Sequence, residues 1–159
     1  MKKVNNKQPN NKLAVDKSLI EGAESIIKNM ESPALFLSFL CDAISWVDSS
    51  RRINKHYSDD VDSWFMCLMI EEVTQPWFAG GKDSVEKMAE GLGNVFGYFG
   101  SDACFTNLAV ITESFGSYLT GINPCPDFLN RSVSGIKALA EVCNSLADHE
   151  NNSKKIKAM

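Results

Sequence analysis

A chain of 159 residues with 44% hydrophobic and 23% charged side chains has the balance of one ordinary globular domain, and at this length folding should bury roughly 68 to 70% of the unfolded surface without disulfide or metal staples. Sixteen Lys and Arg against 20 Asp and Glu give a formal charge of -4, which argues against nucleic acid as the partner of the whole chain. The five cysteines are odd in number, widely spaced and never in a C-x-x-C pair, so neither a disulfide framework nor a zinc knuckle is supported.

Residues 1–12 are rich in Lys and Asn and read as a disordered polar tail, because they carry too little apolar surface to order themselves. Lys2 and Lys3 are followed by Asn, Gln and Pro instead of an apolar run, so no secretory signal is expected. The expected location is a reducing cytoplasm. The alternative is export into another cell by a specialised secretion system, which also reads polar leaders.

From residue 13 to residue 150 apolar residues recur every three or four positions, behind helix-start signals. The first helix opens at Asp16 or Ser18, with Ser18 and Glu21 at capping-box spacing, and buries Leu19, Ala23, Ile26, Ile27 and Met30. Ser32 and Pro33 start the second, whose inner face is Phe36, Leu40, Ile44 and Val47. Ser58, Asp59 and Asp60 cap a third. Its run from Trp64 to Ile70 is apolar all round and should form the enclosed central helix, ended by Pro76, Gly80 and Gly81.

The fourth helix begins near Asp83, with Glu86 completing a capping box, and carries small residues four apart at Ala89, Gly93, Gly97 and Ser101. Those positions share one face, and a bare face admits a second helix at short range, within the chain or across a homodimer. The fifth helix has Cys104, Leu108, Ile111, Phe115 and Leu119 at core spacing, with Thr112, Gly116 and Thr120 as a second small set. The sixth should bury Leu129, Val133, Ile136, Ala140, Cys143 and Ala147. The expected fold is all-α: a compact bundle of five or six helices over 13–150, followed by a basic flexible tail at 151–159 with Lys154, Lys155 and Lys157.

Chemistry is sparse in this pattern. Neither His56 nor His149 has a Glu three residues before it, so the Glu-x-x-His ligand pair of di-metal bundles is missing, and both histidines are placed at helix ends. Asp59, Asp60 and Asp62 lack the glycine and terminal glutamate of a calcium loop. No nucleophile elbow or phosphate-cradling glycine motif occurs, and Gly91 to Gly97 departs by one residue from a dinucleotide fingerprint. Metals and cofactors are therefore not expected. Four cysteines are expected as small core hydrophobes, while Cys125, between Pro124 and Pro126, is the candidate reactive thiol. Glu72 follows the apolar run on its inner face and is a candidate buried acid, with Trp46 as a candidate hydrogen-bond donor.

The expected function is non-enzymatic: a protein-interaction module of adaptor or effector type. Its candidate partner-binding residues are Trp77, Phe78, Tyr98 and Phe99, since exposed aromatics anchor interfaces. One alternative is a peripheral membrane protein that uses the glycine-rich region 91–121, with the C-terminal lysines against acidic lipid. Another is an apolar-ligand carrier with its cavity beside Met66, Met69 and Phe96.

Overall fold

Helices α1 (Lys17–Met30) and α7 (Pro126–Ala158) lie antiparallel and form the most extensive contact of the molecule. The computed structural model describes residues 16–53, 63–121 and 125–158, with side chains at 16–45, 65–111 and 125–158. Within them six helical rods pack together without strands. Residues 1–12, His56, the Ser58 to Asp60 cap, the acidic triplet at Asp59, Asp60 and Asp62, and the side chains of Trp46, Thr112, Gly116 and Thr120 lie outside the described part.

The helix α1 starts where Asp16 accepts a hydrogen bond from the Ser18 amide at 3.0 Å, so Asp16 and not Ser18 is the cap. It buries Leu19, Ala23, Ile26 and Met30, as its periodicity requires. Glu31 stops it in a left-handed conformation at φ 65, with its amide bonded to the Ile27 carbonyl. Helix α2 (Pro33–Ile53) then starts under the Ser32 hydroxyl, which accepts from the Leu35 amide at 3.2 Å. Phe36, Phe39, Leu40 and Ala43 are fully buried on its inner face, and burying each phenylalanine contributes about 1.5–3 kcal/mol.

The third rod is one continuous run of three parts: α3 (Ser63–Leu68), a π-helical turn π1 (Met69–Thr74) and α4 (Gln75–Ala79). Proline was expected to end this helix; it does not. A proline in α-helix would remove one bond and drive its ring into the carbonyl four residues back. Here the turn before Pro76 widens to π geometry: the Gln75 amide bonds the Ile70 carbonyl, and the Thr74 hydroxyl donates to the Met69 carbonyl at 3.3 Å. The rod continues to Ala79, and Gly80, at φ 66, ends it. Nor is this rod enclosed all round. Phe65, Met66, Met69 and Val73 are buried, but Cys67 and Glu71 face outward.

After the turn at 80–83, α5 (Ser84–Phe99) runs back antiparallel along the rod, bringing Phe99 to Phe65 and Asn94 to Glu72. Asp83 makes no side-chain cap bond to the helix; its carboxylate meets Lys87 at 3.3 Å instead of completing the expected box with Glu86. Gly100, at φ 77, separates α5 from α6 (Ser101–Gly121), which buries Cys104, Leu108 and Ile111.

The buried line of α7 differs from the expected one. Val133 and Leu129 are exposed and Ile136 and Cys143 half-buried, whereas Ser132, Gly135, Ala138, Leu139, Val142, Ser145 and Leu146 are inside. Small residues face in because α1 and α2 approach closely: an added Cβ on Gly22 would lie 3.1 Å from Ser145 Cβ, and one on Gly135 would overlap the Phe39 ring. Residues 151–158, expected as a tail, continue α7 to Ala158. Asn152 there donates to the buried Ser18 hydroxyl at 3.2 Å.

Candidate functional site

The small-residue ladder of α5 does not form one packed seam within the chain. Ala89 is buried and Gly93 meets only the Leu19 side chain, but Gly97 faces open space and Ser101 donates to Glu150 at 3.3 Å. The close approach is at Gly91, one step round the helix. A Cβ there would overlap the Glu72 carbonyl oxygen and lie 2.6 Å from its carbon. That carbonyl is the acceptor an α-helical residue 76 would have used, and Pro76 has no N–H to give. The Glu72 carbonyl oxygen lies against the bare Cα of Gly91, which fits a Cα–H···O contact.

Glu72 itself is half-exposed and not buried, with its carboxylate accepting from the Asn94 amide at 3.0 Å. The π turn rotates the residues after Met69 relative to an ideal α wheel, carrying Glu72 to the rim of the rod and α5.

The four candidate aromatics divide into two pairs. Trp77 is half-buried against the core and Phe78 is 51% exposed, both at the α4 end of the rod. Tyr98 is 67% exposed and stacks edge-on against Phe99 at 5.0 Å, and Phe99 in turn meets Phe65 at 5.5 Å, at the opposite end. Thirteen residues of helix separate Phe65 from Phe78, so the pairs are roughly 20 Å apart and cannot share one small contact. Phe99 and Trp77 act as core lids, leaving Phe78 and Tyr98 outward.

Phe78 borders a groove of about 230 Å³ between α2 and the rod, with Leu37, Ile70, Thr74 and Gln75 as its other walls. The lining is mostly apolar. Thr74 is fully buried with its hydroxyl bonded to Met69, so it brings little polarity to the groove.

A second cleft, of about 440 Å³, opens where the α1–α2 turn meets the start of α7. Asn29, Glu31, Asp127 and Arg131 line it. Arg131 Nη2 donates to Asp42 at 2.9 Å and its guanidinium lies 5.5 Å from the centre of the Phe128 ring, but its buried Nε has no partner. The Arg131 charge is thus already matched by Asp42, and Asn29 is occupied by Glu141 at 2.9 Å. The cleft offers polar walls without a nucleophile and base in register.

His149 lies within α7 rather than at its end. Its Nδ1 is 2.6 Å from Asp16 Oδ2, and its ring is edge-on to Phe96 at 5.6 Å. An ionised carboxylate only accepts, so Nδ1 carries the proton. Partial burial raises the Asp16 pKa, but the bonds from His149 and the Ser18 amide outweigh it and hold the carboxyl below its ordinary value of 3.8. A depressed folded pKa contributes stability above the ordinary value that is lost as pH falls through the folded one. Asp16→Asn, which keeps a cap but no charge, is therefore expected to be less stable than the parent by about 1 kcal/mol near neutral pH, with the gap closing below pH ~4. Melting temperatures across that range check it; a gap independent of pH would refute the pairing.

Cys41, Cys67 and Cys125 are exposed, which corrects the expected core placement of the first two. Cys104 is buried and Cys143 half-buried. Burial, and secondarily the neighbouring Cys143, pushes the Cys104 thiol up to about 11, and burial also raises Cys143, so both are poor nucleophiles. Among the described residues no group of three His, Cys, Asp or Glu is placed to hold a metal ion. The methionines proposed to line a ligand cavity, Met66 and Met69, are each 1% exposed and packed in the core. No described helix is long and apolar enough to cross a membrane, and Gly91, Leu92, Val95, Cys104, Leu108 and Ile111 of the glycine-rich region are turned into the bundle.

Comparisons with protein families, with curated proteins and with solved structures find no match to this chain.

Proposed function

We propose that this chain is a non-enzymatic protein-interaction module whose docking point is the groove of Leu37, Ile70 and Phe78 between α2 and the π-interrupted rod. The observation that carries the reading is Phe78: a phenylalanine half in solvent at the rim of an apolar groove, on a helix end that the bundle does not cover. Exposed aromatics beside a pocket are the residues on which interface energy concentrates. A groove of about 230 Å³ suits one apolar side chain of a partner helix, seated as an anchor. Tyr98, at the far end, belongs to a separate surface.

The test is a displayed library of helical peptides, panned on the full chain and counter-panned on Phe78→Glu. Phe78→Glu should fold normally, since the side chain is largely outside the core, with stability within about 0.5 kcal/mol of the parent. Peptides with an apolar anchor should bind the parent and lose at least ~10-fold affinity for the variant, the loss of a typical hot spot. Equal binding to both proteins would remove the groove as the docking point.

A further inference from the structure

The cleft where the α1–α2 turn meets the start of α7 is one-sided in its hydrogen bonding. Its strong donors are already engaged. Asn29 gives its side-chain amide to the Ser25 carbonyl and to Glu141, Arg131 Nη2 meets Asp42 at 2.9 Å, and Arg131 Nε, without a partner, is buried out of a ligand's reach. Its acceptors are not. Glu31 at the end of α1 and Asp127 in the first turn of α7 are both exposed, and neither carboxylate has a partner among the described residues. The end of α1 adds two backbone acceptors. A helical carbonyl is matched by the amide four residues on, but for Asn29 that residue is Pro33, which has no N–H, and for Lys28 it is Ser32, whose amide turns to the Met30 carbonyl at 2.7 Å. Both oxygens point toward the C-terminal end of α1, the negative end of its dipole. Lys28 is exposed about 200° round the helix from the buried Met30, so its ammonium is turned away from the cleft.

We infer that this cleft binds an organic cation, an ammonium or guanidinium head on an aliphatic stem. At about 440 Å³ it has the size of a small-ligand site, roughly 300–1,000 Å³. A metal ion does not fit the walls, because among the described residues no three His, Cys, Asp or Glu converge. A head with several N–H donors can instead reach carboxylates set on separate helices. Leu35, 42% exposed on the same wall, offers the stem an apolar surface. Asn130 and Ser134, one turn apart on α7, add neutral contacts. Leu35 and Leu37 project about 200° apart on α2, so the cleft and the Phe78 groove open on opposite sides of that helix. The inference therefore stands independently of the interaction reading.

The test is titration of the isotope-labelled full chain with agmatine, a free guanidinium on an aliphatic stem, and with arginine capped at both ends, which stands for a side chain of a protein partner. Amide chemical shifts are expected to move at Glu31, Asp127 and Asn130 and not at Phe78, and to move less in high salt. Glu31→Gln and Asp127→Asn together should weaken binding by at least ~10-fold, since each replaces a hydrogen bond between charged groups with a weaker neutral one. Both positions are exposed, and the variant's amide spectrum reports its fold in the same experiment. Either probe binding in this way supports the cation site, and the tighter one names the source of the head. No shifts with either probe at millimolar concentration, or binding undiminished in the double variant, would overturn the inference. So would shifts at these residues with glutarate in place of a cation, which would make Arg131 the determinant.

Discussion

Gly91→Ala is expected to destabilise the protein by about 3 kcal/mol, the upper end of the cost of overpacking. The new methyl would overlap the backbone oxygen of Glu72, and backbone cannot rotate away as a side chain would. Relief requires moving the π turn, which holds Met69 and Val73 in the core. Gly97→Ala supplies the contrast on the same helix. Its Cβ would enter open space, so only propensity acts, and it should stabilise by about 0.5–1 kcal/mol. Urea denaturation of the two variants measures the difference. If both move stability the same way, the carbonyl of Glu72 is not held against Gly91.

That pair also shows what a one-dimensional pattern conveys. The all-α bundle, the start of α2 at Ser32, the stop before Pro33 and the inner face of α1 were legible, because capping and a 3.6-residue apolar period are local properties. The seam of small residues in α5 was not. Four-residue spacing selects a face of a helix but not the face a neighbour uses, and the neighbour's closest approach is made by the Glu72 carbonyl of the rod, at Gly91. The same proline hid the candidate site. Treated as a terminator, it leaves Trp77 and Phe78 in a loop; accommodated by a π turn, it keeps them on a helix, one half-buried against the core and one beside the groove. Glu72 moved to the rim for the same reason. An anchored His149 was invisible because its partner, Asp16, is 133 residues away in the chain.

The α7 discrepancy leads to the second large effect. The sequence spacing predicts an inner face through Leu129, Val133 and Ile136, yet the helix is turned so that Ser132, Gly135 and Ala138 face in. Shape decides this. Phe39 is fully buried, and its ring fills the space a side chain at residue 135 would need. With Leu or Val at that contact α7 would be held off, exposing Phe39 and separating Arg131 from Asp42, which now meet at 2.9 Å one turn away. Gly135→Val should therefore cost about 3 kcal/mol, since it adds branched volume where even one methyl overlaps an aromatic ring. Phe39→Leu alone should cost about 1–2 kcal/mol through lost contacts and a partial cavity. Combined, the two should cost less than their sum by about 1 kcal/mol or more, because the smaller leucine vacates the volume that valine needs. Denaturant midpoints for the four proteins of this cycle supply the coupling. Strict additivity would mean that Phe39 and residue 135 do not share that volume, and the small-residue face of α7 would then need another cause.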